Sequence, residues 1–227
     1  MIHTRNIQKD FRRGEHVEHA LQNINIDVEE GEYVVISGPS GSGKTTLMGL
    51  LGLVDVPTRG EIFFQGTEVA HVSEKERTRL RRGHIAFVFE HMHLIDELTV
   101  YENIGLPLLY LSNTRKERRR RIDELMERFR LTHLKGQYPG TLGNFMSQKV
   151  ALARALSSTP DVIFADEPAG RLISSEKGEL MDLFRELNEG GQTLVMATHS
   201  TEEARRGQRI IQLFDGHVVS SSPARER

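Results

Sequence analysis

The sequence predicts an α/β fold with a mostly parallel core sheet, an N-terminal antiparallel β part and an inserted helical subdomain. Runs such as Tyr33–Ser37 and Thr193–Thr198 are rich in β-branched residues and apolar on both faces, which is typical of strands inside a parallel sheet. Helical patterns alternate with these strands, as a parallel sheet requires. The middle of the chain is mostly helical and heavily charged. We therefore expect one domain over residues 1–227, with a helical subdomain at roughly 91–158.

The first third of the chain is predicted to consist of strands around one helix. Leu21–Val28 alternates apolar and polar residues, as a half-buried strand does, and Glu61–Phe64 is another short β-rich run. After Tyr33–Ser37 comes a Gly/Ser-rich segment, followed by a helical pattern over Lys44–Leu53.

The remaining elements continue the alternation. Asp215-Gly216 is a typical two-residue turn, so the strands beside it are predicted to form a hairpin. The segment Ser221–Arg227 is predicted to be loose. The predicted strands are His84–Phe89, Asp161–Ala165, Ile210–Phe214 and His217–Ser220, and the predicted helices of the insertion include Thr99–Leu111 and Thr114–Phe129.

Composition excludes several classes of function. The 30 basic and 32 acidic residues give a net charge of −2, which argues against binding nucleic acid through bulk charge. The absence of cysteine excludes disulfide scaffolds and thiolate catalysis. No secretory signal is visible, and no apolar run approaches the ~20 residues that span a bilayer. We expect a cytoplasmic protein that reaches a membrane only through a partner.

The strongest motif is a phosphate-binding loop, which reads Gly38-Pro39-Ser40-Gly41-Ser42-Gly43-Lys44-Thr45 and is followed by Thr46. Its fixed positions would coincide by chance about once in a hundred chains of this size. The glycines let backbone N–H groups turn toward phosphate, and Lys44 reaches the β- and γ-phosphates. Thr45 offers an oxygen to Mg²⁺. We therefore predict a nucleotide site at residues 38–46.

Two further strand ends carry candidate site residues. The apolar run Val162–Ala165 ends in Asp166 and Glu167, which suit a metal ligand and a group beside the attacking water. His199 closes another buried strand. An acidic turn and a structural histidine are the alternatives, but ligands gather at the carboxyl ends of parallel strands. We therefore place all three at the nucleotide.

In this order, and with a helical insertion between them, these motifs resemble the nucleotide-binding subunit of ATP-binding cassette (ABC) transporters over nearly the whole chain. Gly49–Glu61, which reads GLLGLVDVPTRGE, most resembles the subfamily that serves lipoprotein release and macrolide export. The resemblance implies a P-loop NTPase fold, ATP and Mg²⁺ as cofactors, and ATP hydrolysis that drives transport. It also implies a location on the inner face of the cell membrane, through an integral membrane permease as partner.

The resemblance assigns further roles to individual residues. Phe11 occupies the place of an aromatic that stacks on adenine, although a core position is the alternative. His199 would contact the γ-phosphate, and the segment His93–Leu111 would contact the permease. The nucleotide-binding subunits would pair as a homodimer or heterodimer.

Three motifs depart from the family pattern. Glu90 stands where the family has a glutamine near the metal, so it can bind Mg²⁺ or repel phosphate. Leu142-Gly143-Asn144-Phe145-Met146 replaces the signature Leu-Ser-Gly-Gly-Gln, which one subunit presents to ATP held in the other. Ile173 replaces an aspartate in the loop that communicates across the dimer.

These departures leave two functions open. The first is an ATPase subunit that is slow alone or depends on a partner with an intact signature, and the second is a non-hydrolysing, ATP-dependent regulatory module of a membrane complex. The transported substrate and the direction of transport stay open. A DNA-repair ATPase with a similar cassette would need long insertions or coiled coils, for which this chain has no room.

Overall fold

The computed structural model describes residues 1–14 and 16–224. The strands are β1 (Ile2–Arg13), β2 (His16–Ile24), β3 (Asp27–Val28), β4 (Tyr33–Ser37), β5 (Arg59–Phe64), β6 (Thr67–Glu68), β7 (Ile85–Phe89), β8 (Val162–Asp166), β9 (Thr193–Thr198), β10 (Arg209–Phe214) and β11 (His217–Pro223). The α-helices are α1 (Lys44–Leu51), α2 (Glu74–Arg81), α3 (Val100–Gly105), α4 (Arg115–Arg128), α5 (Asn144–Ser157), α6 (Ser174–Glu189) and α7 (Thr201–Ala204).

Two sheets build the fold. The larger sheet has the strand order β11-β10-β4-β9-β8-β7 and is parallel except for the antiparallel edge pair β10/β11. The smaller sheet is antiparallel, with the order β2-β1-β5-β6 and β3 paired to β1. The predicted fold class, with its antiparallel N-terminal part, is confirmed.

The inner strands β4, β8 and β9 of the larger sheet are buried on both faces, as their continuous apolar runs predict. On one face Val34 and Ile36 of β4 pack with α1 and with apolar residues of the smaller sheet. On the other face Tyr33 and Val35 belong to a second core, formed with α3, α4, α5 and α6. Helix α1 therefore lies between the two sheets, which fixes the loop that precedes it.

The first two helices of the helical insertion, α3 and α4, begin at threonine caps. Thr99 and Glu102 form a reciprocal capping box at α3, and Thr114 and Glu117 form another at α4. The predicted helix Thr99–Leu111 is too long, because regular α-helix ends at Gly105. The chain continues as a 3₁₀ segment, Leu106–Tyr110, whose Pro107 lacks the N–H that an α-helical bond needs.

Two other predicted boundaries are wrong. The strand predicted at Leu21–Val28 is divided, because β2 ends at Ile24 and β3 pairs separately with β1. The tail predicted to be loose continues β11 to Pro223, where it pairs with Arg209. Residues 225–227 of that tail lie outside the described residues. The hairpin turn is confirmed, with φ of 46° at Asp215 and 73° at Gly216.

Candidate nucleotide-binding site

The phosphate-binding loop lies between β4 and α1, at the carboxyl edge of the parallel sheet. Gly41 and Gly43 have φ of 80° and 100°, values that other residues rarely adopt. Gly38 lies so close to β10 that an added Cβ would stand 2.1 Å from the Leu213 carbonyl oxygen. Pro39, Ser40 and Gly41 are exposed at the tip of the loop. The loop is thus anchored at its base and open to solvent where phosphate would enter.

Lys44 is folded over this loop. Its ammonium donates to the carbonyl oxygens of Gly38 and Pro39 at 2.8 and 3.0 Å and lies 3.7 Å from the Glu167 carboxylate. The side chain is buried, as is the Ser42 hydroxyl, which has no hydrogen-bond partner among the described residues. Thr45 and Thr46 follow in the first turn of α1, with Thr45 exposed.

The strand register brings the other predicted residues to the same edge. Asp166, the last residue of β8, pairs with Ala197 of β9, and Thr198 pairs with Ser37 of β4. The Glu167 N–H donates to the Ala197 carbonyl, and Glu167 adopts a positive φ of 47°. Its carboxylate lies 3.0 Å from His199 Nδ1. Glu167 therefore contacts both Lys44 and His199.

The pKa of Asp166 is raised above its ordinary value. Burial raises its pKa, and the nearby Glu167 and Glu90 carboxylates raise it further, while the Thr45 hydroxyl and Lys44 oppose the shift. Its Oδ1 atom is buried without a hydrogen-bond partner among the described residues. An unsatisfied carboxylate oxygen beside a hydroxyl fits Mg²⁺, which binds one or two protein oxygens and completes its shell with water and phosphate.

Glu90 lies next to Asp166. Its backbone N–H donates to the Asp166 carbonyl oxygen at 2.9 Å, and its side chain packs on Gly170, where an added Cβ would stand 2.8 Å from Glu90 Oε1. The Glu90 and Glu167 carboxylates are both near enough to Asp166 to raise its pKa, and Lys44 lies beside Glu167.

Phe11 is 39% exposed and belongs to neither core, so the alternative of a core position does not hold. The Lys9 ammonium lies 5.0 Å from the centre of its ring. Phe11 stands on the β1–β2 ribbon, and Ala20 of the same ribbon lies against Gly43 of the phosphate-binding loop.

The segment predicted to replace the family signature forms the start of α5. Gly143 occupies the N-cap and offers no side-chain acceptor to the first turn. Phe145 is 8% exposed because its ring packs into the helical core. The Asn144 side-chain amide donates to the Arg171 carbonyl oxygen at 3.2 Å, which ties this segment to the loop that carries Ile173. Ile173 is 66% exposed.

Two residues near His199 escaped the sequence analysis. Thr198 and Glu203 are both buried and are joined by a 2.7 Å hydrogen bond from the Thr198 hydroxyl to Glu203 Oε2. The available signal was the capping pattern from Ser200 to Glu203, which opens α7.

A family model described as "ABC transporter" matches residues 21–170. The chain belongs to the ABC transporter family. It is 41% identical over 219 residues to the lipoprotein-releasing system ATP-binding protein LolD of Aquifex aeolicus, covering 96% of each chain. It is 37% identical over 222 residues to the macrolide export ATP-binding/permease protein MacB of Neisseria meningitidis, covering 98% of this chain and 34% of MacB.

The structure of this ABC protein is similar to that of the ATP-binding cassette MJ0796, solved as a dimer in a post-hydrolysis state with ADP and Pi. The TM-score is 0.91 at 38% identity, with complete coverage of both chains. This protein is thus an ABC ATPase and binds ATP at the cassette's nucleotide site. None of its described helices has the length and apolar character needed to span a bilayer.

Proposed function

We propose that this protein is the ATP-binding and ATP-hydrolysing subunit of a membrane transport complex of the lipoprotein-release or macrolide-export type, and that its hydrolysis depends on an intact signature from a partner. The observation that carries the proposal is a contrast. Lys44, Glu167 and His199 are all present, and Glu167 contacts the other two, whereas the residues at the signature position Gly143 and in the loop at Ile173 differ from the family pattern.

The cis half of the site supports in-line hydrolysis. Lys44 leaves its loop carbonyls to bind the β- and γ-phosphates, and residues 38–46 supply N–H groups to them. Glu167 accepts the proton of the attacking water, and His199 binds the γ-phosphate. Phe11 stacks on adenine. Thr45, Asp166 and Glu90 would hold Mg²⁺, which would neutralise the charge that develops on the phosphates.

The trans half explains why a partner is needed. Each site of such a dimer combines one subunit's phosphate-binding loop with the other subunit's signature. Losing one preorganised donor from a catalytic site costs about 3 kcal/mol, or about 100-fold in rate. Gly143 has lost the serine hydroxyl, so a homodimer would carry this loss in both sites. A heterodimer with an intact partner keeps one working site.

The membrane partner is an integral permease, which places the protein on the cytoplasmic face of the membrane. The helical subdomain at roughly 91–158, inserted in a single cassette over residues 1–227, supplies the contact. Within the segment His93–Leu111, Leu109 and Tyr110 are 60% and 67% exposed, which suits an apolar contact with another protein. No nucleic acid is involved, in keeping with the net charge of −2.

The decisive experiment mixes two chains, one with a restored signature and one with the wild-type catalytic residues. An added Cβ at Gly143 meets nothing within 4 Å, and the Phe145 ring points into the core, so a repair can leave Phe145 in place. The repaired protein carries Gly143→Ser and Asn144→Gly, and also Glu167→Gln, which disables its own site. It is mixed with the wild-type chain, and phosphate release is measured with Mg-ATP.

We expect the mixture to hydrolyse ATP about 100-fold faster than either protein alone. The matched control replaces Gly143→Ser by Gly143→Ala, which adds the same carbon without the hydroxyl and should not activate the mixture. Wild-type protein that turns over several ATP per second alone, with the activity lost in Glu167→Gln, would refute the need for a partner.

The altered signature also favours a second candidate, a non-hydrolysing module that regulates a membrane complex by binding ATP. Its mark would be ATP binding that Lys44→Ala abolishes, together with no phosphate release from the mixture.

A further inference from the structure

His199 lies between two residues that are both hydrogen-bonded to Glu203, Thr198 to its carboxylate and Ser200 to its backbone N–H. The Thr198 hydroxyl donates to Glu203 Oε2 at 2.7 Å and accepts the Ser200 N–H at 3.1 Å. The Ser200 hydroxyl in turn accepts the Glu203 N–H at 3.3 Å. These three hydrogen bonds form a ring that encloses the backbone of His199.

Burial distinguishes the ring from the histidine that it encloses. Glu203 is 6% exposed and Thr198 is fully buried, whereas the side chain of His199 is 62% exposed. An exposed imidazole has little packing to fix its direction, so its backbone and its contact with Glu167 must do so. The ring is therefore the part of the fold that fixes the backbone of His199.

The Glu203 carboxylate can hold this ring together, and its burial would be unfavourable without the groups that pair with it. A buried carboxylate is unfavourable unless charged or polar groups pair with it. Here Oε2 accepts from Thr198, and Oε1 lies 3.4 Å from the ammonium of Lys177 on α6. Helix α7 has only four residues and depends on such contacts to hold its place.

We propose that Glu203 is a positioning residue that holds His199 in the orientation needed to bind the γ-phosphate. Thr198 transmits the restraint, and Lys177 keeps the carboxylate in place. The inference rests on the proposed role of His199. It predicts that loss of the ring weakens the binding of a nucleotide with a γ-phosphate and spares the binding of ADP.

The test measures the dissociation constants of Mg-ADP and of a non-hydrolysable Mg-ATP analogue by calorimetry. The variants are His199→Ala, Glu203→Met, Thr198→Val and the double variant His199→Ala/Glu203→Met. Glu202→Met is the matched control, since it is exposed and adjacent on α7. Glu203→Gln keeps an acceptor for Thr198 and serves as the conservative variant. Circular dichroism and the ADP affinity report whether each variant folds.

His199→Ala should lower the preference for the ATP analogue over ADP about tenfold, as expected for loss of a hydrogen bond to a charged group. Glu203→Met and Thr198→Val should lose most of that preference, while Glu203→Gln retains it in large part and Glu202→Met retains it fully. The double variant should match His199→Ala, because Glu203 acts through the histidine.

Three results would overturn the inference, and they differ in meaning. If His199→Ala lowers the preference but Glu203→Met and Thr198→Val bind both nucleotides as the wild type does, the ring does not position His199. If His199→Ala itself leaves the preference unchanged, the proposed role of His199 is wrong, and the inference fails with it. Equal weakening of ADP and analogue binding by Glu203→Met would show a structural role only.

Discussion

Asp166 is expected to reduce the stability of the protein when nucleotide and metal are absent. Its Oδ1 atom is buried without a partner, and Glu90 and Glu167 add negative charge nearby. A buried polar group without a partner costs about 1–3 kcal/mol. Asp166→Asn keeps an oxygen for Thr45 and offers an N–H to the surrounding carboxylates. We expect it to raise the free energy of unfolding by about 1 kcal/mol, which is about 2–4 °C in the melting temperature of a chain this long.

The stability difference between Asp166→Asn and wild type should depend on pH. Because burial raises the pKa of Asp166, the folded protein binds its proton more tightly than the unfolded chain does. The penalty is therefore complete above the raised pKa, and it disappears as pH falls toward the ordinary aspartate pKa of about 4. The stability gap between Asp166→Asn and wild type should be largest near pH 7.5 and should narrow on acidification.

Thermal unfolding without nucleotide, followed over a series of pH values, measures this gap. Asp96→Asn is the control, because Asp96 is exposed and the same change of charge there should leave the gap near zero at every pH. An Asp166→Asn protein that is less stable than wild type at pH 7.5, or a gap that stays constant with pH, would refute the reasoning.

Three further predictions follow from single contacts. Gly38→Ala should abolish stabilisation by ATP in a thermal-shift assay, because the added Cβ would stand 2.1 Å from the Leu213 carbonyl oxygen. Gly140→Ala is the control, because its added Cβ meets open space and the variant should behave as wild type. Phe145→Ala should lower the free energy of unfolding in urea by about 3–5 kcal/mol, against less than about 0.5 kcal/mol for the exposed Phe214→Ala. Glu90→Gln should bind ATP at least tenfold more tightly than wild type when EDTA removes the metal. A unit negative charge about 5 Å from phosphate costs about 3 kcal/mol at an effective dielectric of about 20, and the substitution removes that charge. Unchanged or weaker binding would place Glu90 away from the phosphates.

The parallel sheet was predictable because its strands carry their own signal. Tyr33–Ser37 and Thr193–Thr198 are apolar on both faces, and the structure gives both with the predicted bounds. The N-terminal strand β1 was not predicted individually, because Ile2–Arg13 mixes charged and apolar residues and is stabilised by pairing with β2, β3 and β5. Pairing between distant segments leaves little trace in a local pattern.

The site was predictable where chemistry depends on residue type and spacing. The phosphate-binding loop, the Asp166-Glu167 pair and His199 each follow a buried strand, and parallel pairing brings strand ends together. The direction of the Phe145 ring was not predictable, because a phenylalanine at a helix start can face either the core or a partner. Glu203 was also missed, since a glutamate three residues after a serine reads as a helix cap and says nothing of burial.

The residues that differ from the family pattern lie apart from the predicted nucleotide-site residues of the same chain. The predicted nucleotide-site residues lie together within one chain, because Glu167 contacts both Lys44 and His199, and the Glu90 backbone bonds to that of Asp166. The altered groups at Gly143, Asn144 and Ile173 stand at the first turn of α5 and on an exposed loop, where a change costs little within the chain. Under the proposed function, an altered signature is compatible with a stable ATP-binding fold, and its consequence would fall on the nucleotide held by the facing subunit. This is why the mixing experiment, rather than the activity of the chain alone, distinguishes a partner-dependent ATPase from a regulatory module.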